Sequence, residues 1–563
     1  MNLRRHTPHH LRRLWAVGVI LTIAAAALVI RLIDLGVINR PFLQKQFSAR
    51  TIRDVVIPSY RGIITDRNGE PLAISTPVYA AWADPKKLVM NNLELKKLAA
   101  LLGISADSIK LYIQKNSKKQ FVYLKRNLPP EIADQIKHLN IQGIALEKQY
   151  RRFYPEGESV TQVVGFTNID DIGQEGVELA YNQWLQGSPG IKKILKDRFG
   201  NVVADLGVIR EPVLGRDLTL SIDSRLQYIA YNALLNGVTE FGARSGSAVI
   251  LDIHTGEILA MVSIPSYNPN ARPPEVNGSY RNRAMTDVFE PGSTVKAIAM
   301  TTALSTGMYT PASTINTSPG YYYIDGNKVD DDGYDNGVID MTRILEVSSN
   351  VGMSKVMLSL PSKMLFLNML HNLGFAQSTG IHFPGESIGH INPRDATSNF
   401  GYATLSFGYS IDVNLLQLAH AYATLGNNGV KVPLSLLKVN TVPQGVQVIK
   451  PEIAAEMRTM LESVLKRGGG TAVAARVPGY QVTGKTGTTR MLGPHGYEKN
   501  HHNAFFVGIA PASNPQLVVA VMLHDPAKKA YFGGFVAGPI FSKVMGESLR
   551  ILNIPPDDVQ PAG

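Results

Sequence analysis

The chain has 563 residues, 56 Lys and Arg against 45 Asp and Glu for a net charge of +11, and no cysteine. That length allows two or three domains with proper cores, and the missing cysteines exclude disulfides, thiolate chemistry and a cysteine-based zinc site. The positive balance suits an anionic polymer or a membrane surface; no nucleic-acid-binding module is visible, so nucleic acid is not expected as a partner.

Arg4, Arg5, Arg12 and Arg13 precede an uncharged apolar run from Leu14 to Ile30, extendable to Leu35 if Arg31 snorkels. At 1.5 Å per residue this run spans roughly 25–33 Å, the thickness of a bilayer's hydrocarbon core. Residues 14–35 therefore read as a transmembrane anchor and 1–13 as a cytoplasmic tail, with the remainder of the chain on the far side of the membrane. A cleaved signal peptide is the rival, because Ala24-Ala25-Ala26 mimics a cleavage site. The run continues through Leu28-Val29-Ile30, however, where a cleaved signal turns polar.

Residues 36–218 are charged, mixed and loop-rich, and are expected to form an elongated mixed α/β stalk. Asp66-Arg67-Asn68-Gly69 reads as a turn between two short β-type runs, and Leu93–Leu102 and Pro130–Leu139 as amphipathic helices. Nothing in this region pairs a nucleophile with a base.

A second domain is expected over residues 219–563. Ser224 would cap an amphipathic helix, and residues 247–252 and 257–262 would be strands joined by a turn at His254-Thr255-Gly256. Helical patterns at 415–425 and 453–465 lie before further strands at 480–490, 503–509 and 516–522. Strands at both ends with helices between them define an α+β domain with a mainly antiparallel five-stranded sheet.

The candidate chemistry starts at Ser293. Pro291 and Gly292 break the preceding segment, and an apolar run comes next, so a buried helix is expected to begin near Ser293. Lys296, three residues on, then shares its face. A serine in the first turn sits where free backbone N–H groups favour developing negative charge. A lysine can take its proton if burial and a neighbouring positive charge lower the lysine's pKa. Alone, Ser-x-x-Lys arises by chance in most chains of this length. Ser348-Ser349-Asn350 adds a hydroxyl and an amide able to relay a proton. Lys485-Thr486-Gly487-Thr488 adds a cation beside two hydroxyls, on a strand where Gly487 permits close backbone approach. Neither is informative by itself.

In this order the motifs form the signature of penicillin-recognising serine acyltransferases. Arg281 to Lys296 resembles the class B penicillin-binding proteins, as do Arg61 to Gly69, Tyr154-Pro155, Gly165-Phe166 and Gln174 to Glu178. The resemblance runs from the anchor to Gly533-Gly534 and is nearest the division-specific D,D-transpeptidases, the elongation-specific ones being the alternative. Ala297 stands where the family often has proline, and Tyr409-Ser410 and Asn414-Leu415 replace the usual Tyr-Gly and Thr-Pro.

The resemblance implies that Ser293 attacks the D-Ala-D-Ala carbonyl of a peptidoglycan stem peptide, that Lys296 is the base, and that Ser348 with Asn350 relays a proton. Backbone N–H groups of Ser293 and Thr488 would form the oxyanion hole. Lys485, Thr486, Gly487 and Thr488 would bind the substrate carboxylate, and β-lactams would acylate Ser293. It also implies a membrane-embedded glycosyltransferase partner, other division proteins, and residence in the bacterial inner membrane at the septum. A β-lactamase, a D,D-carboxypeptidase and a non-enzymatic β-lactam receptor or scaffold are the rivals. No cofactor or metal is expected. Asp330 to Gly337 reads as a solvated turn, His495, His501 and His502 as a polar loop, and Gly468-Gly469-Gly470 lacks the residues of a phosphate loop.

Overall fold

The computed structural model describes residues 9–197, 202–271, 278–466, 468–493 and 496–558. Arg4, Arg5 and His495 lie outside them. The chain divides into two compact units, Met1–Ser59 with Gly187–Leu214 and Tyr60–Gln186 with Gly215–Gly563.

The first unit begins with the helix His9–Ile33. Leu11–Ile38 is the one stretch among the described residues long and apolar enough to cross a membrane, and none of it is buried in the protein. Arg31 pairs with Asp34 at 2.6 Å near its end. The rest of this unit contains an antiparallel sheet of Ile52–Ile57, Gly190–Lys196 and Val202–Arg210.

In the second unit, the region expected to be loop-rich is built on a sheet. Val122–Leu128, Pro71–Ala83, Ile64–Thr65 and Leu218–Thr219 lie in that order, and Ile144–Phe153 pairs the other side of Pro71–Ala83. The helices Asn92–Leu102 and Pro130–His138 bring Leu98, Leu102 and Ile136 into its core. The first is framed by an Asn91–Glu94 capping box and by Gly103 at φ 61°. The turn expected at Asp66–Gly69 is present: Gly69 N–H donates to the Asp66 carbonyl at 3.1 Å. Beneath the sheet, the fully buried Glu178 accepts from Arg61 Nε at 2.7 Å and from Arg152 Nε at 2.6 Å. Arg61 also donates to Asn182 Oδ1 and to the carbonyls of Asp171 and Glu178.

This region packs on the part of the same unit that begins at Gly215. Asp66 accepts from Ser224 N–H at 3.1 Å and from its hydroxyl at 2.9 Å. Gln162 Nε2 donates to the Pro265 carbonyl, and Gln227 Nε2 to that of Ser159. Ser224 is thus the first residue of the helix Ser224–Phe241 rather than its cap; Asp223 caps it through Arg225 N–H.

The main sheet has the order Ile258–Ile264, Ser245–Asp252, Leu517–His524, Gly496–Ala510, Thr483–Gly493, antiparallel throughout, as the α+β reading expects. The strands Ser245–Asp252, Ile258–Ile264 and Leu517–His524 are near-continuous apolar runs because both faces are covered. Alternate residues point to opposite faces. Phe506 meets Phe541 of the helix Gly533–Ile551, whereas Ile509 lies against Gly426 of the helix Leu415–Gly426. His501 and His502 lie within the Gly496–Ala510 strand, not in a loop. His502 stacks on Tyr531, and His501 Nδ1 sits 2.8 Å from an Asp525 carboxylate oxygen.

Candidate active site

Ser293 lies in a short 3-10 turn, Gly292–Val295, and the α-helix Lys296–Ser305 begins at the lysine. The expected helix start is therefore displaced by three residues. Every helix residue from Lys296 to Leu304 is buried, which explains why the segment is apolar apart from Lys296, Thr301 and Thr302. The turn is fixed from three directions. Gly292 N–H donates to the Gly408 carbonyl at 3.0 Å, Thr489 Oγ1 to the Glu290 carbonyl at 3.2 Å, and the buried Tyr422 hydroxyl to the Thr294 carbonyl at 2.8 Å. Gly408 is obligatory, since a Cβ there would fall on the Gly292 carbonyl.

Lys296 has no exposed surface. Its Nζ donates to the Ser348 carbonyl at 2.6 Å and to Asn350 Oδ1 at 2.7 Å, and lies 3.1 Å from Ser348 Oγ. From the opposite side the equally buried Lys485 Nζ reaches the same hydroxyl at 3.0 Å and Thr486 Oγ1 at 3.4 Å. Ser348 holds this position in the left-handed region, at φ 61°. The three motifs thus meet around one hydroxyl. Ser293 is partly exposed, and its side chain makes no hydrogen bond to a described residue. Thr488 Oγ1 accepts from Gly533 N–H at 2.9 Å. A Cβ at Gly487 would fall inside the ring of Phe505, so only glycine lets these strands approach.

The electrostatics arise from burial. Taking an ammonium out of water draws Lys296 down to about 7, while Asp331 and Asp332 pull the other way. Lys485 is pushed well down by burial and by the charge of Lys296. The sequence reading has burial and a neighbouring positive charge together lowering Lys296; burial is the cause seen here, and the repulsion between the two amines lowers Lys485. A neutral Lys296 donates its two hydrogens to the Ser348 carbonyl and Asn350 Oδ1, leaving its lone pair free to accept.

Asp331 is the neighbour of this site that the sequence leaves hidden. The loop expected to be a solvated turn carries it 7 % exposed, accepting from Ser349 Oγ and Val351 N–H. Among the described residues no group of three or more His, Cys, Asp or Glu side chains is placed to hold a metal.

Residues 246–546 match the penicillin-binding protein transpeptidase domain, and residues 56–220 the penicillin-binding protein dimerisation domain. The chain belongs to the class B penicillin-binding proteins. It is 44% identical over 538 residues to a probable peptidoglycan D,D-transpeptidase, PbpC, of Pseudomonas aeruginosa, covering 96% of this chain and 95% of the relative. It is 41% identical over 540 residues to the peptidoglycan D,D-transpeptidase FtsI of Escherichia coli, covering 95% and 91%. Among solved structures, penicillin-binding protein 3 of Mycobacterium tuberculosis complexed with aztreonam aligns with a TM-score of 0.69 at 26% identity, covering 89% of this chain and 98% of that one. The transpeptidase domain of Burkholderia pseudomallei penicillin-binding protein 3 aligns with a TM-score of 0.56 at 38% identity, over 61% of this chain and 98% of that one.

Proposed function

We propose that this protein is a peptidoglycan D,D-transpeptidase of septal wall synthesis and a target of β-lactams, acting through an acyl-enzyme on Ser293. Relatives named as peptidoglycan D,D-transpeptidases support the activity, and the name FtsI supports the septal role. The observation that carries the mechanism is the convergence of Lys296 Nζ and Lys485 Nζ on Ser348 Oγ, at 3.1 and 3.0 Å, beside the Ser293 turn.

Ser293 Oγ attacks the carbonyl between the terminal D-alanines and its proton passes to neutral Lys296. The lysine's lone pair is available once the substrate has closed the gap between them, because such contacts tighten in the reacting complex. Backbone N–H groups of Ser293 and Thr488 receive the oxyanion, where one donor is worth about 3–4 kcal/mol. Ser348, held with Asn350, hands a proton to the departing D-alanine and takes one back from Lys296, 3.1 Å away, which restores the neutral base. Lys485, Thr486 and Thr488 bind the terminal carboxylate along the strand that Gly487 allows to lie close. An amine of a second stem peptide then attacks the ester and completes the cross-link.

The domain limits belong to the same proposal: tail 1–13, anchor 14–35, stalk 36–218 and transpeptidase domain 219–563. The single N-terminal apolar helix is consistent with a single-pass inner-membrane protein. A septal location, a membrane-embedded glycosyltransferase and other division proteins as partners rest on kinship. Fluorescent penicillin and subsequent peptide mapping test the reading. One adduct on Ser293 is expected, absent in Ser293→Ala and reduced at least a hundredfold in rate in Lys296→Ala, in line with the roughly 10²–10⁴-fold worth of a general base. An adduct on another residue, or labelling that survives Ser293→Ala, overturns it.

A further inference from the structure

The end of the strand Asn327–Asp330 and the loop after it are tied to the Ser348–Asn350 turn and to Val351 through Asp330 and Asp331. Asp331 Oδ2 accepts from Ser349 Oγ at 2.6 Å and from Asn336 Nδ2 at 3.2 Å, and Oδ1 accepts from Val351 N–H at 2.9 Å. Ser349 is also the cap of the helix Asn350–Leu358, accepting from Gly352 N–H at 2.9 Å. A single carboxylate therefore satisfies a free N–H of that helix and orients its capping side chain. One residue earlier, the Asp330 carbonyl accepts from Asn350 Nδ2 at 3.0 Å, which turns Oδ1 of the same amide toward Lys296. The loop itself is anchored, because Asp331 N–H donates to the Gly320 carbonyl at 2.9 Å.

We propose that Asp331 is the positioning residue that, through Ser349 and Val351, holds Ser348 and Asn350 against Lys296. This rests on the acyl-transfer reading of the site. Ser348 is kept in a left-handed conformation that a non-glycine residue adopts only when its surroundings impose it, and the neighbouring residue is locked by Asp331. The carboxylate has a second effect. The charged groups facing Lys296 are Asp331 and Asp332 from this loop and Lys485 from the opposite strand, with Arg490 acting on Asp332. Asp331 favours the charged amine, so its removal moves the protonation of Lys296 to lower pH.

The test is the second-order rate of penicillin acylation of the detergent-solubilised full chain, measured against pH. In the unaltered protein the rate should rise as Lys296 loses its proton near pH 7. Asp331→Asn should lower the plateau roughly ten- to a hundredfold, the worth of one charged buried hydrogen bond, and move the midpoint down. Asp332→Asn, which touches neither Ser349 nor Val351, should move the midpoint and leave the plateau. Ser349→Ala should lower the plateau alone and be far from additive with Asp331→Asn. A plateau unchanged in both Asp331→Asn and Ser349→Ala overturns the proposal, as does a midpoint that Asp331→Asn leaves in place. Should Asp331→Asn fail to fold, Ser349→Ala and Asp332→Asn decide between the outcomes. If the unaltered protein is not acylated at Ser293, the transpeptidase reading itself fails. That result is distinct from a variant-to-parent ratio near one.

Discussion

Ser410 shows what one departure from the family pattern does. It stands where the resemblance leads to the expectation of a glycine and lies at φ 63°, a region where a Cβ costs about 1–2 kcal/mol. It is kept there because its N–H donates to Glu290 Oε1 at 2.9 Å, the same oxygen that receives the Tyr497 hydroxyl at 2.8 Å. Ser410→Gly is therefore expected to raise stability by about 1 kcal/mol, read as a higher urea midpoint at unchanged slope; a lower midpoint would mean the serine is unstrained. The strain is invisible in sequence, where a Tyr-Ser pair reads as an ordinary loop. The residues of the candidate site divide in the same way. Ser293, Lys296, Ser348 and Lys485 are legible because their motifs are short and ordered along the chain. Asp331 is not, because its partners Ser349 and Val351 lie on the far side of a strand and a helix.

At the scale of elements, the helix Leu415–Gly426 ties the Ser293 turn to the sheet. Asn414 is its cap and completes a capping box with Gln417, the role the threonine expected from the resemblance would have as a cap. Tyr422 reaches Thr294, and His420, two residues earlier, is buried with Nε2 2.7 Å from the Val432 carbonyl. Burial draws the imidazole down to about 4. The unfolded chain then binds this proton first, so stability is lost as pH falls from about 6.5 toward 4 and levels off below. The loss amounts to about 3 kcal/mol by order of magnitude. His420→Gln, which keeps a donor for Val432, should remove that share of the acid sensitivity in urea unfolding measured between pH 6.5 and 4.5. An unaltered slope would assign it to His502 and His524, which burial also lowers. Much of the main sheet is legible because Ser245–Asp252, Ile258–Ile264 and Leu517–His524 are apolar runs. The first sheet of this unit is not: Ile144–Phe153 reads as Ile-Ala-Leu-Glu-Lys-Gln-Tyr-Arg-Arg-Phe, too charged to announce a strand, and its partner is about seventy residues away.

For the molecule as a whole, Tyr60–Gln186 and Gly215–Gly563 form one compact unit, so damage to the earlier region should be felt throughout it. Glu178 is the point of greatest leverage, because removing it takes from the buried Arg61 and Arg152 the carboxylate that ion-pairs with both, leaving only the electrostatic pull of Asp171. Glu178→Ala should cost about 3–5 kcal/mol. Calorimetry should show the unit still melting in one transition at lower temperature, with penicillin acylation of the folded protein little changed at 25 °C. Two separate transitions would show that the early region is energetically independent.

The sharing of one hydroxyl by two interior amines has a thermodynamic consequence. Because burial draws both lysines down from the usual amine range, an arriving carboxylate favours their charged forms. Ligand association should therefore be coupled to proton uptake from solvent. The apparent calorimetric enthalpy of docking a donor peptide would then vary with the ionisation heat of the buffer, and its affinity would weaken toward alkaline pH even as the nucleophile becomes more reactive.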